Sequence, residues 1–136
     1  MQIQVTHKDG EVFTASNQED CQINVGRGEE SFRPMELLLV GLASCSSIDV
    51  MQIFSKQKIS ISNYLVTVNA NREEGSIPSL FTDITIHFEF TGDVPLAKAK
   101  RAIKLTIDKY CSVAAVLKPT SQLSASLTLN QVSYEI

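Results

Sequence analysis

Few side chains in this chain can do covalent chemistry: Cys21, Cys45 and Cys111, with Asp49 four residues after the second of them. A thiol reacts as its thiolate, so the surroundings of each sulfur decide its use. Cys45 lies within RPMELLLVGLASCSSIDV, residues 33–50. The small neighbours Gly41, Ala43, Ser44, Ser46 and Ser47 leave room beside the sulfur, and serine hydroxyls can donate hydrogen bonds to a thiolate. The position also suits an inert small hydrophobe, because free cysteine is among the most buried residue types. Asp49 sits one helical turn further along the same face, where an ionised carboxylate disfavours a second negative charge unless a cation offsets it.

Cys111 stands between two apolar runs. It either continues a helix as filler or opens a new short helix, whose first N–H groups would favour a thiolate. The cysteines are an odd number, 24 and 66 positions apart, with no CxxC and no Cys/His cluster. That is neither a disulfide framework nor a zinc-site spacing, and no metal is expected. Cys45 and Cys111 can act as attacking and resolving thiols only if the fold brings them to disulfide distance. Cys21 reads as a structural strand residue, and His7 and His87 as solvated side chains in a turn and on a polar strand face.

The elements that must position these groups follow from residue patterns. Gln2–Lys8 and Glu11–Ser16 flank Asp9-Gly10, a favoured type I′ turn, and Cys21–Val25 alternates as a third strand. Pro34 and Glu36 suit the first turn of a helix that should run to about Lys58. Tyr64–Asn71 and Leu80–Phe90 alternate with period two, with Leu80, Ile84, Ile86, Phe88 and Phe90 on one face, and should form a long antiparallel hairpin. Asp93-Val94-Pro95 starts an amphipathic helix carrying Leu96, Ala99, Ile103, Ile107 and Tyr110 on its apolar side. Gln122–Tyr134 closes the chain as alternating strand. The order of strands and helices gives an α+β fold, read as one domain over residues 1–136. Apolar residues surround the first long helix on all sides, from Met35 to Phe54, so a partner chain is expected to cover what one modest sheet cannot.

Composition excludes several classes. With 43% hydrophobic and 20% charged residues the chain is globular and not disordered. A net charge of −3 with no Lys/Arg run gives no reason to expect nucleic acid. MQIQVTHKDG has no signal-peptide core, and the apolar run 35–43 is short and broken by Glu36, so the reading is cytoplasmic and not membrane-spanning.

Pro34-Met35-Glu36-Leu37 with Ala43-Ser44-Cys45, followed later by Lys109-Tyr110-Cys111-Ser112-Val113, resembles the OsmC/Ohr family of osmotically inducible and organic hydroperoxide resistance proteins. The resemblance covers the whole chain and points to an OsmC-like subfamily. It implies an α+β fold of antiparallel sheets with long central helices, in an intertwined homodimer with interfacial active sites. It also implies cofactor-free thiol peroxidase chemistry on a hydroperoxide or other electrophile: Cys45 attacks, Cys111 resolves, and an external dithiol restores both. The alternative is a non-catalytic module of the same fold that binds a small apolar or thiol-reactive ligand at the interface. In the peroxide-reducing members of the family a Glu follows the motif proline and acts with an Arg of the N-terminal hairpin to hold the reactive thiolate; here Met35 holds that position and the carboxylate falls on Glu36. Glu36 precedes Cys45 by nine residues, about 180° round a helix and roughly 13 Å along it. Lys8, Arg27 and Arg33 are the candidate cations. Peroxide-reducing members usually place Pro after the second cysteine, where this chain has Ser112.

Overall fold

The computed structural model describes all residues, Met1–Ile136. The chain forms two compact units, Met1–Val40 and Gly41–Ile136.

The first unit holds three antiparallel strands in the order β1-β2-β3: β1 (Gln4–Asp9), β2 (Val12–Ser16) and β3 (Gln22–Gly26). The expected hairpin is present, but its turn is not type I′, which needs two consecutive positive φ angles. Only Gly10 has one, at 54°, and the register shifts between His7 and Asp9. Gly26 is required by contact: at φ 144° a Cβ there would lie 2.0 Å from the Glu11 carbonyl oxygen. Ile3, Val5, Phe13, Ile23 and Phe32 remain exposed in this unit. Its last residues begin α1 (Pro34–Lys56), with Pro34 at the first helical position.

The second unit packs helices on a four-stranded sheet of order β4-β5-β6-β7: β4 (Ser62–Arg72), β5 (Phe81–Thr91), β6 (Gln122–Leu129) and β7 (Val132–Glu135). The hairpin of β4 and β5 is antiparallel as expected. A register shift between Asn71 and Arg72 turns Phe81 inward, 5% exposed, and leaves Leu80 at 38%. Two expectations for the end of the chain fail. The sheet is not antiparallel throughout: β6 runs parallel to β5, because the helices between them form the crossover that a parallel pair needs. The closing segment is a hairpin and not one strand, broken at Asn130-Gln131, both at positive φ.

Between β5 and β6 lie α2 (Leu96–Leu105), a π-helical turn (Thr106–Tyr110) and α3 (Ser112–Leu117). Ala99, Ala102, Ile103, Thr106 and Ile107 are buried, while Tyr110, expected on the same apolar side, is exposed because the wider π turn rotates it away. Leu42, Phe54, Ile84, Ile86, Phe88, Phe90, Ile103 and Leu127 form the core. Burying each contributes about 1.5–3 kcal/mol against the entropy of ordering. Phe90 meets Phe54 edge-on at 5.6 Å and stacks on Tyr64 at 6.0 Å.

α1 ends near the expected residue but is buried along only one stripe, Leu42, Ser46, Val50 and Phe54, at four-residue spacing. Leu38, Val40, Ile48 and Met51 stay 39–59% exposed. By length and composition α1 would also be able to cross a bilayer, a test that the core helix of a soluble protein passes as well.

Candidate functional site

The second unit brings Cys45, Asp49 and Cys111 together. Their sulfur and carboxylate atoms all lie within 4.8 Å of one another. α1 supplies the first two, one turn apart on one face. Cys111 arrives through the connection after α2, where the π turn closes with its N–H donating to the Thr106 carbonyl at 2.8 Å. Gly41, one turn before Cys45, is where α3 meets α1: a Cβ on it would stand 3.7 Å from both γ-methyls of Val113. That is ordinary van der Waals distance, so Val113 packs over Gly41 next to the thiol pair.

A new helix does start after Cys111, with Ser112 serving at its first position although it is not proline. Cys111 is the N-cap, and its Sγ accepts a hydrogen bond from the Ala114 N–H at 3.4 Å. The expected favouring of the thiolate does not follow. Burial is the largest influence on this sulfur and pushes the Cys111 thiol up to about 11. The neighbouring Cys45 thiol acts in the same direction, and the N–H groups of Ala114 and Val113 oppose both without overcoming them. Cys111 is therefore a buried, protonated thiol at neutral pH, while Cys45 beside it is partly accessible. Asp49 is half-buried, its Oδ2 is shielded from solvent with no hydrogen-bond partner, and desolvation raises its carboxyl above the ordinary range. Sequence patterns gave Asp49 a place on the Cys45 face; its lack of a hydrogen-bond partner is a tertiary fact.

Nor do the serine hydroxyls at 46 and 47 serve the sulfur. Ser46 donates to the Leu42 carbonyl at 2.7 Å, and Ser47 to the Ala43 carbonyl at 2.6 Å while accepting from the Tyr64 hydroxyl at 3.0 Å. An open cleft of about 600 Å³ adjoins the cluster, lined by Asp49 and by Gln52, Lys56, Lys98, Arg101 and Tyr110. These cations border the site from α1 and α2, and sequence reading missed them because no motif marks them.

The remaining candidates, Lys8, Arg27, Arg33 and Glu36, all belong to the first unit. Glu36 caps its own helix, where its Oε1 accepts the Arg33 N–H at 2.7 Å, the reciprocal half of a helix capping box. Arg27 is an exposed ion-pair partner of Glu11 at 3.8 Å. Lys8 and Arg33 are exposed. Cys21 precedes β3 and is exposed, not a core strand residue. His7 contacts the Gly10 carbonyl oxygen, and both ring nitrogens of His87 are engaged by Ser126 and Thr128 hydroxyls.

Comparison with known proteins bears on the family and the fold. Residues 26–126 match the family model described as OsmC-like protein. Over 129 residues the chain is 34% identical to protein YhfA of Escherichia coli (strain K12), spanning 93% of this chain and 96% of that protein. A hypothetical protein from Aquifex aeolicus VF5 superposes with a TM-score of 0.86 at 29% identity, covering 95% of each chain. The same fold recurs at 14% identity in an organic hydroperoxide resistance protein OsmC from Legionella pneumophila, with a TM-score of 0.73 over 93% of this chain and 95% of that one. The family-model match over residues 26–126 and the 34% identity to protein YhfA across 93% of the chain place this protein in the OsmC family.

Proposed function

We propose that the protein is a cysteine-based hydroperoxide reductase acting as a cytoplasmic homodimer. The observation that carries this reading is the convergence of two free thiols 66 positions apart in sequence to within 4.8 Å, one partly accessible and one buried. In the reaction, the Cys45 thiolate attacks the distal oxygen of a hydroperoxide, the O–O bond breaks, and the leaving alkoxide takes a proton to depart as alcohol. Cys45 is then a sulfenic acid. Cys111 attacks that sulfur, giving a disulfide and water, and an external dithiol reduces the disulfide by exchange. The two environments support this division of labour: Cys45 is partly accessible to an incoming hydroperoxide, whereas Cys111 is buried beside it and within reach of the sulfenic acid once that has formed. Similarity to a Legionella pneumophila protein described as an organic hydroperoxide resistance protein supports the substrate class. Free cysteines throughout fit a reducing compartment. The dimer is supported by Leu38, Val40, Ile48 and Met51, which one chain leaves exposed along α1.

A second reading, a ligand-binding module without turnover, is favoured by one observation: the carboxylate nearest the family's motif position, Glu36, is engaged as a helix cap. One assay separates the two. The reduced protein, Cys45→Ser and Cys111→Ser are compared for consumption of an alkyl hydroperoxide with a dithiol donor. The enzyme reading expects turnover in the native chain and none in Cys45→Ser, while Cys111→Ser forms no intramolecular disulfide and turns over only as fast as the dithiol itself reduces the Cys45 sulfenic acid. Consumption no faster than the dithiol alone, or full activity without Cys45, would sink it.

A further inference from the structure

The three side chains of the cluster are placed as a set of ligands as well as a redox pair. Two sulfurs and a carboxylate converge within 4.8 Å, and the carboxylate's Oδ2 is shielded from solvent without a hydrogen-bond partner. A buried acceptor left unpaired is costly, and a cation between it and the sulfurs would remove that cost. Tetrahedral zinc holds sulfur at about 2.3 Å and carboxylate oxygen at about 2.0–2.2 Å, which puts its donors roughly 3.5–3.8 Å apart. Donors at most 4.8 Å apart reach that spacing by side-chain movements of about 1 Å or less.

We propose that Cys45, Cys111 and Asp49 form a binding site for a thiophilic divalent cation of the Zn²⁺ class, with the fourth tetrahedral position open to water. Two sulfur donors select against Mg²⁺ and Ca²⁺, which take oxygen ligands. The ion displaces both thiol protons, so at least two protons are released for each ion bound. Its two positive charges offset two thiolates and a carboxylate that could not otherwise be negative together so close to one another. With both sulfurs coordinated, neither lone thiolate is free to attack an oxidant and no disulfide forms, so the metal-bound form is the oxidation-resistant one. The site is built by tertiary contact alone, which is why no ligand spacing appears in the sequence.

The test uses the full-length, fully reduced chain without oxygen, and its readouts do not depend on hydroperoxide turnover. Zn²⁺ is titrated against a chromophoric chelator, and Cd²⁺ is followed through its ultraviolet thiolate charge-transfer band. The expected result is one ion per chain, at least two protons released, and loss of the cadmium band in Cys45→Ser and Cys111→Ser but not in Cys21→Ser. Asp49→Asn should weaken binding by at least the roughly 10–100-fold typical of losing an outer-sphere partner. In the unsubstituted protein, bound Zn²⁺ should slow alkylation of Cys45 and Cys111 while leaving Cys21 at its metal-free rate, a readout that stands even if a variant does not fold. Unchanged alkylation of Cys45 under saturating Zn²⁺, no charge-transfer band, or equal affinity in a folded Asp49→Asn would each overturn the site. If turnover is absent but the ion binds, the peroxidase reading falls and the metal site stands.

Discussion

The reactivity of Cys111 can be worked out from its burial. Its thiol rises from the ordinary 9.0 to about 11. At pH 7 this cuts the thiolate fraction from about 1 in 100 to about 1 in 10,000. A more basic thiolate is a better nucleophile, and a Brønsted slope of about 0.4–0.5 over the two units restores roughly 6–10-fold. Cys111 should therefore alkylate about 10–15 times more slowly than an ordinary thiol, before its burial is counted. At 2% exposure, access slows it further. The assay is alkylation of the reduced protein with iodoacetamide, quenched at intervals and read by peptide mass spectrometry at each cysteine from neutral pH to above pH 11. The expected Cys111 rate is low at pH 7 and climbs about tenfold per pH unit before levelling near its own pKa. A Cys111 rate at pH 7 equal to that of a small-molecule thiol, or a plateau below pH 9, would refute the claim that burial outweighs the helix N–H groups at this sulfur.

The same shift has a stability consequence. Because the native thiol keeps its proton to a higher pH than the unfolded one, its contribution is fully present below pH 9.0 and is lost as pH rises through about 11. Urea midpoints should fall over that window, and less steeply in Cys111→Ser, although Tyr64, also raised by burial, keeps part of the slope. Phe90→Ala removes a fully buried ring that contacts Phe54 and Tyr64 and should cost about 3–5 kcal/mol in urea unfolding. Ile48→Glu puts a charge on the exposed apolar side of α1 and should weaken the proposed homodimer by about 30-fold or more, read by sedimentation equilibrium. Glu36→Ala deletes the acceptor for the Arg33 N–H and should lower stability by roughly 0.5–2 kcal/mol, measured by thermal or urea unfolding.

Much of the framework was legible from local signals. Period-two alternation marked β4 and β5, Pro34 with Glu36 marked the start of α1, and three- and four-residue spacing marked α2, because each pattern reflects one face meeting a core. Where reading failed, the deciding contact was distant or the local signal had two meanings. Asn130-Gln131 split the final strand, since asparagine tolerates the left-handed region but glutamine gave no warning. The parallel pairing of β6 with β5 was hidden because alternation does not encode strand direction.

By itself, then, the sequence determined an α+β chain with two thiols in short motifs, an acid on the face of the first, and a helix too apolar for one sheet to cover. Those properties follow from residue type and spacing along single elements. Only the tertiary structure decided that Cys111 begins a helix, that Val113 packs over Gly41, and that both sulfurs meet the carboxylate of Asp49, one oxygen of which is shielded. It also decided that Cys111 keeps its proton. A helix start favours the thiolate through a few N–H groups that sequence can suggest, whereas desolvation depends on everything packed around the sulfur, and here desolvation is the larger effect.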